Sequence, residues 1–316
     1  MSAQYAEPTV NPATGFVALN DAKALRAAMK GFGTDEGAII DILTARSNAQ
    51  RQEIITAFKG EFGRDLVKDL KSELGGKFER LDLVKDLKSE LGGKFERLVL
   101  ALMETPFNYL ASELNNAMAG IGTNEDVLTE VITILTTHNN DDLKRIAETY
   151  QQRYGKSLEE TIESEVSGDY KRLLTLLLTN VRDERGVYPD KAKEMADRLY
   201  AAGEAKLGTD EETFVVLLTH ASFAQIRLVF DEYRKISGKT LEEAVKKEFS
   251  GDLQAAIMAI IKCAESRTRY FAEQLEAAMK GFGTNDAKLI RLIVSRISSE
   301  TSGDYKNAIL SLIGEP

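Results

Sequence analysis

The chain has 316 residues, 43% of them hydrophobic and 29% charged, with a net charge of −9. That is enough apolar material for a sizeable soluble core, and the acidic balance argues against nucleic acid and against simple attraction to anionic lipid. No apolar run approaches the roughly 18–20 residues needed to cross a bilayer. The lone Cys263 excludes an internal disulfide and suits a reducing, cytoplasmic compartment; its setting, AAIMAIIKCAES, marks a buried and inert thiol.

The opening MSAQYAEPTVNPATG has no basic region followed by an apolar one, so no secretory signal is expected. It reads as a tail over residues 1–20, with Pro8 and Pro12 and no amphipathic helix. Beyond it the chain repeats. Four related strings occur: AAMKGFGTDE (27–36), NAMAGIGTNE (116–125), AGEAKLGTDE (202–211) and AAMKGFGTND (277–286). Their Gly-Thr pairs begin at Gly33, Gly122, Gly208 and Gly283, spaced by 89, 86 and 75 residues. Each is followed by a second string, SELGGKF (72–78), SEVSGDY (164–170), KEFSGDL (247–253) or SETSGDY (299–305), and then by an apolar tail. The unit is therefore about 70–80 residues long and occurs four times.

Each full unit divides into about five helices: one before the glycine loop, one after it, one through a stretch such as AQRQEIITAFKGEF, one through DLVKDLKSEL and one through the apolar tail. Phe271, Leu275, Ala278 and Met279 share one helical face, as do Leu143, Ile146, Ala147 and Tyr150. Asp286 can cap the helix AKLIRLIVSR or sit in its first turn. The fold class expected is all-α, with units over 21–104, 105–180, 181–264 and 265–316.

The chemistry lies in the loops. In Met29-Lys30-Gly31-Phe32-Gly33-Thr34 two glycines end a helix and let the backbone turn, so that carbonyls can point outward and converge. A hard cation such as Ca²⁺ takes about six to eight oxygens from carbonyls, carboxylates and water. A carbonyl-rich loop with one distant bidentate Glu supplies such a set and leaves a position for a phosphate oxygen. The distance from loop Gly to Glu is 40 residues in unit one (Gly33 to Glu73), 43 in unit two (Gly122 to Glu165) and 40 in unit three (Gly208 to Glu248). In unit four it is only 17 (Gly283 to Glu300).

Four K-G-x-G-T-type loops with an acid about forty residues on closely resemble the annexin family, of the invertebrate type in wording such as RSNAQRQEIITAFKGEFGRDL. The resemblance covers nearly the whole chain from Asp21. It implies a curved all-α disc and calcium-dependent, peripheral binding to anionic phospholipid, without enzymatic activity. It also implies a protein partner for the N-terminal tail and self-association on membranes. Carried over by position, it assigns as calcium ligands Met29, Gly31, Gly33 and Glu73 in unit one, and Met118, Gly120, Gly122 and Glu165 in unit two. Unit three has Gly203, Lys206, Gly208 and Glu248; unit four has Met279, Gly281, Gly283 and Glu300. A weaker site would use the Thr34 carbonyl with Glu36.

Other readings are weaker. YGKS (154–157) and SGKT (237–240) lack the upstream glycine of a phosphate loop, no DxDxDG calcium loop exists, and His138 and His220 lack zinc-enzyme spacing. The alternative of a different class is a metal-independent helical-repeat scaffold for protein partners.

Three departures from the pattern stand out. Unit two carries three extra residues near TEVITILTTHNN, enough to rotate its second helix by most of a turn. Unit four lacks about 23 residues, so one helix and most of another are missing and Glu300 is not expected to reach its loop. Unit one contains DLVKDLKSELGGKFERL twice, at 65–81 and 82–98. The Gly-Gly pairs at 75–76 and 92–93 are expected to break the helix there, leaving an added surface helix over 77–91. Glu73 keeps the link to the preceding helix and is the preferred ligand. Glu90, which keeps the link to the following helix, is the alternative.

Overall fold

A computed structural model describes residues 12–30, 33–74, 82–119, 125–179, 181–280 and 284–298. Every regular element among these residues is an α-helix. In the stretch of unit one lie α1 (Ala18–Ala28), α2 (Glu36–Thr44), α3 (Asn48–Phe62), α4 (Leu66–Leu74) and α5 (Asp82–Met103). Unit two has α6 (Pro106–Ala119), α7 (Glu125–Thr137), α8 (Asn140–Tyr154), α9 (Leu158–Glu165) and α10 (Gly168–Leu178). Unit three has α11 (Pro189–Ala202), α12 (Glu211–His220), α13 (Phe223–Ser237), α14 (Leu241–Glu248) and the start of α15 (Gly251–Met279). Helix α15 kinks at Ser266, whose backbone is extended, and its remainder leads to α16 (Asp286–Ser298).

Two compact units result, one of Leu110–Glu273 and one of the chain on either side of it. In the flanking unit α1 packs on α3, and α4 and α16 on α5. Its main core joins Leu25 and Met29 to Ile39, Leu43, Ile54 and Phe58, and to Leu66, Leu70 and Leu74 of α4 and Val99 and Met103 of α5. A second cluster joins Ala101, Leu102 and Tyr109 to Ile290 and Val294 of α16. In the central unit α11 packs on α13, while α10 touches α7, α8, α9 and α12. Tyr150, Phe214 and Tyr233 are fully buried there, as is Cys263 nearly so.

The same joins recur. Helices α3, α8 and α13 end on left-handed glycines, Gly63 (φ 63°), Gly155 (φ 74°) and Gly238 (φ 73°). Two residues later Asp65, Ser157 and Thr240 cap the next helix, accepting from the N–H groups of Lys68, Glu160 and Glu243. Glu160 and Glu243 complete capping boxes. The strings YGKS and SGKT are therefore a helix stop followed by a helix start. The third helix is also tied outward in parallel ways. Asn48 donates to the Glu104 carbonyl (2.8 Å) and Asn140 to the Arg182 carbonyl (2.8 Å), each sealing the exit of a fifth helix. Gln50 grips both backbone groups of Ala13 (3.0 and 3.1 Å), and Gln225 those of Tyr188 (2.6 and 3.1 Å).

Several expectations are corrected. Gly92 and Gly93 do not break the chain: α5 runs unbroken from Asp82 to Met103, so the second copy extends the fifth helix and does not form a separate one over 77–91. Strong helix formers on both sides outweigh the roughly 1 kcal/mol that each interior glycine costs. Gly75 and Gly76 lie outside the described residues. Helix α1 begins at Ala18, and Gln50 holds Ala13 ahead of it. At α16 the cap is Asn285, which accepts from Lys288 N–H at 3.1 Å, and Asp286 takes the first-turn position, one of the two places expected for it. The three extra residues of unit two all fall in α7, which has 13 residues against 10 in α12. From the cap of the third helix to the Glu the spacing is 26 in all three full units (Ser47 to Glu73, Asn139 to Glu165, Ser222 to Glu248). The insertion thus leaves the later helices in phase.

Backbone geometry makes a paired prediction. Gly155→Ala and Gly238→Ala force a Cβ into a left-handed position and should each cost about 1–2 kcal/mol. Gly60→Ala, inside α3 with open space around it, should gain about 0.5–1 kcal/mol. Denaturant unfolding of the three variants checks the opposite signs.

Candidate metal centre

Each glycine loop with described ends is closed by one backbone hydrogen bond. Asp35 N–H donates to the Ala28 carbonyl (2.9 Å), Asp210 N–H to Ala202 (2.7 Å) and Asn285 N–H to Ala278 (2.7 Å). The residue that closes the loop also caps the helix beyond it: Asp35 Oδ1 accepts from Ala38 (2.9 Å), Asp210 Oδ1 from Thr213 (3.1 Å) and Asn285 Oδ1 from Lys288 (3.1 Å). Within the closed loops Gly33 (φ 98°) and Gly208 (φ 82°) take the left-handed turn that a side chain resists. In the third loop Lys206 N–H donates to the Gly203 carbonyl at 3.2 Å, which leaves that oxygen its second lone pair for a ligand.

The third unit brings loop and distant acid together. Glu248, the last residue of α14, lies against the loop: its Cγ is 3.5 Å from the point where a Cβ on Gly203 would stand. Thr209 Oγ1 donates to Glu248 Oε2 at 3.1 Å, and Lys247 Nζ pairs with Oε1 at 2.9 Å. Phe214 and Phe249 meet edge to face beneath it, centroids 5.0 Å apart. The Phe249 backbone, extended with its N–H on the Val245 carbonyl, sets the direction in which α14 ends. Val166 does the same after Glu165.

A second carboxylate joins the first. Glu204, inside the loop, pairs with Lys239 and keeps only 8% of its side chain exposed, against 13% for Glu248. Lys247 foremost, with help from Thr209 and against the effect of burial, holds the Glu248 carboxyl below its ordinary range. Burial, then the negative charges of Glu204 and Glu248, raises the phenol of Tyr233. At the loop tip Lys206, Leu207 and Gly208 are exposed, and Leu207 has no cover at all.

The other expected ligands are placed as follows. Met29 is the buried C-cap of α1, Thr34 is half-buried, Glu36 opens α2 and Glu73 stands exposed near the end of α4. Met118 is buried in α6 and Glu165 is exposed at the end of α9. Met279 ends α15. Gly31, Gly120, Gly122, Gly281, Gly283 and Glu300 lie outside the described residues, and so does the side chain of Glu90. Among the described residues no three Asp, Glu, His or Cys side chains gather as a metal site. His138 and His220 sit at the ends of α7 and α12, each donating from Nδ1 to a carbonyl one turn back, Ile134 and Val216 (2.8 Å each). Glu204, Lys239 and Lys247 escaped sequence reasoning, since their meeting depends on how the chain returns. Thr209 was legible as the Thr of the repeated Gly-Thr pair.

Comparison with known proteins identifies the family. The family model described as Annexin matches residues 20–81, 109–177, 194–260 and 270–297. The first match stops at 81, the last residue of the first doublet copy. The chain is 47% identical to Annexin B10 of Drosophila melanogaster (97% of this chain, 98% of that protein) and 43% to Annexin A8 of Homo sapiens (97% and 95%). Among solved structures, annexin III shares 38% identity with a TM-score of 0.86 (99% of this chain, 92% of that one). A structure described as calcium-bound annexin (Sm)1 shares 32% with a TM-score of 0.77 (98% and 86%). With one repeated model matched four times along the chain and relatives above 40% identity over nearly its whole length, the protein belongs to the annexin family.

Proposed function

We propose that this annexin binds anionic phospholipid surfaces through Ca²⁺, held by carbonyls of the glycine loops and a carboxylate from the end of the fourth helix. The observation that carries the reading is Glu248, returned across forty residues to lie against Gly203 and Thr209. Two largely buried carboxylates beside a loop rich in backbone oxygen suit a hard cation. In unit three the carbonyls of Gly203, Lys206 and Gly208 with Glu248 would hold the ion, and its open positions would take lipid phosphate. A calcium-bound structure of a relative supports the choice of metal. No helix among the described residues is long and apolar enough to cross a membrane, so attachment in this reading is peripheral.

The charge balance makes the metal necessary. A chain of net charge −9 is repelled by an anionic surface until cations bridge the two. Several weak sites on one protein then act together through effective concentration, which makes the response to calcium steep. Bare Leu207 adds an apolar contact at the loop tip. The tail as a partner-binding segment, self-association on the membrane, a cytoplasmic location and the weaker site at Thr34 and Glu36 belong to the same reading.

The protein should pellet with phosphatidylserine vesicles in calcium and return to the supernatant in excess EGTA; pelleting unchanged by EGTA would sink the mechanism. Glu248→Gln should weaken calcium binding at its site roughly 10–100-fold, the effect of losing one charged contact of about 1.5–3 kcal/mol. Calorimetric titration reads this, with Glu159→Gln as the control that leaves it unchanged. A metal-independent scaffold would give no site-specific heat. Leu207→Ser should weaken vesicle binding about tenfold or more, for about 1.5–3 kcal/mol of lost burial, while calcium titration without lipid stays the same.

A further inference from the structure

We propose that the two identical segments of unit one compete for one place in the fold, so that the fourth helix is formed either by residues 66–74 or by residues 83–91. In the structure the first copy holds the place. Leu66, Leu70 and Leu74 enter the core beside Phe58 and Val99, and Asp69 pairs with Arg64 (2.6 and 2.8 Å) and lies 3.7 Å from Arg26. Seventeen positions on, Leu83, Leu87, Leu91 and Asp86 repeat those side chains without change. Whatever the first copy does for α1 and α3, the second has the groups to do.

The joins decide what each arrangement keeps. With the first copy in place, three residues (63–65) link α3 to the fourth helix and twenty (75–94) link that helix to Phe95, which packs on the core. With the second copy in place the numbers exchange: twenty residues (63–82) precede the fourth helix and three (92–94) follow it. In the first arrangement residues 82–94 of the link to Phe95 are helical within α5. The first arrangement keeps the Gly63 stop and the Arg64–Asp69 pair, as the structure has them. The second restores the close join that α9 makes with α10 and α14 with α15. Glu90 stands five residues before Phe95, as Glu165 does before Tyr170 and Glu248 before Leu253. Each copy thus satisfies one of the two joins that every full unit of this chain uses, and neither satisfies both. The Arg64 side chain is 54% exposed, so its pair adds at most about 1 kcal/mol in favour of the first copy. Gly92 and Gly93, the weakest helical positions in α5, are where the second copy would part from the helix that follows. If the calcium reading holds, the carboxylate offered to the first loop is Glu73 in one arrangement and Glu90 in the other.

A leucine cycle without calcium tests the exchange. In EDTA, Leu70→Ala and Leu87→Ala should each lower Tm by less than about 3 °C, because the intact copy takes the place, while the double variant should lose about 5–15 °C. In a chain with residues 82–98 deleted, which holds one copy only, Leu70→Ala alone should lose as much as the double variant. A Leu70→Ala loss that is the same in the full chain and the one-copy chain, with Leu87→Ala silent, would overturn the proposal. The calcium consequence rests on the function proposed above and has its own readout. Glu73→Gln and Glu90→Gln should each retain the first site in calorimetry and together abolish it. Loss by Glu73→Gln alone, equal to the pair, counts against exchange. A pair without effect removes the ligand assignment and leaves the leucine cycle to decide the exchange.

Discussion

One backbone hydrogen bond per loop sets the course of each glycine loop whose ends are described. When Asp210 N–H reaches back to the Ala202 carbonyl, the seven residues between them must double out of the helix. Within the excursion Ala205 N–H still reaches the Tyr200 carbonyl of α11 and Lys206 N–H the Gly203 carbonyl, and Gly208 supplies the left-handed turn that completes it. The same Asp then starts α12 through its side chain. A net contribution of about 1 kcal/mol from the bond and a similar one from the cap is enough to define a loop whose energetic balance is otherwise unfavourable. Asp35 and Asn285 repeat the device, which is why an acid or amide after Gly-Thr matters as much as the glycines before it.

The second constraint is the constant distance from the cap of the third helix to the distant Glu. Between Ser222 and Glu248 lie a helix, a left-handed glycine, a cap, a second helix and its end. Each is specified by residues a few positions apart, so the whole excursion has a fixed length and returns the carboxylate to the loop. Unit two shows that this segment is insulated from what precedes it, because its three extra residues are absorbed by α7 before the 26-residue stretch begins.

Much of this was legible in the sequence. Helical periodicity, the four-fold repeat and the Gly-to-Glu spacing are local or regular patterns that locate Gly208 and Glu248 without coordinates, and Gly203 came from the family resemblance. Glu204 and Lys239 were not legible, because a pair 35 residues apart forms only once α11 and the α13–α14 join are packed together. The unbroken α5 was misread for a different reason. Two adjacent glycines are a strong local stop signal, yet LKSEL before them and KFERL after them carry enough helix propensity to run through. Met29 and Met279 mark a further limit of local reading. Both follow the string AA and precede KGFGT, but Met29 is 3% exposed and Met279 is 40% exposed. Met29 belongs to the core cluster that includes Leu66, Leu70 and Leu74 of α4, and unit four has no full counterpart of that helix in sequence.

The doublet follows from the same division of the fold into short, self-specified pieces. A helix stop, a cap and an apolar spacing are written into each copy, so seventeen added residues leave both the preceding α3 and the following apolar tail able to form. What the addition removes is uniqueness: the fourth helix is bounded by two joins, and the duplication separates them so that each copy abuts only one. Elsewhere in the chain a single segment abuts both, and the position of the carboxylate at its end is determined by two neighbours at once. In unit one the structure has the join at Gly63–Asp65, with its left-handed glycine and cap. The site most affected is therefore the one whose ligand depends on where the fourth helix ends.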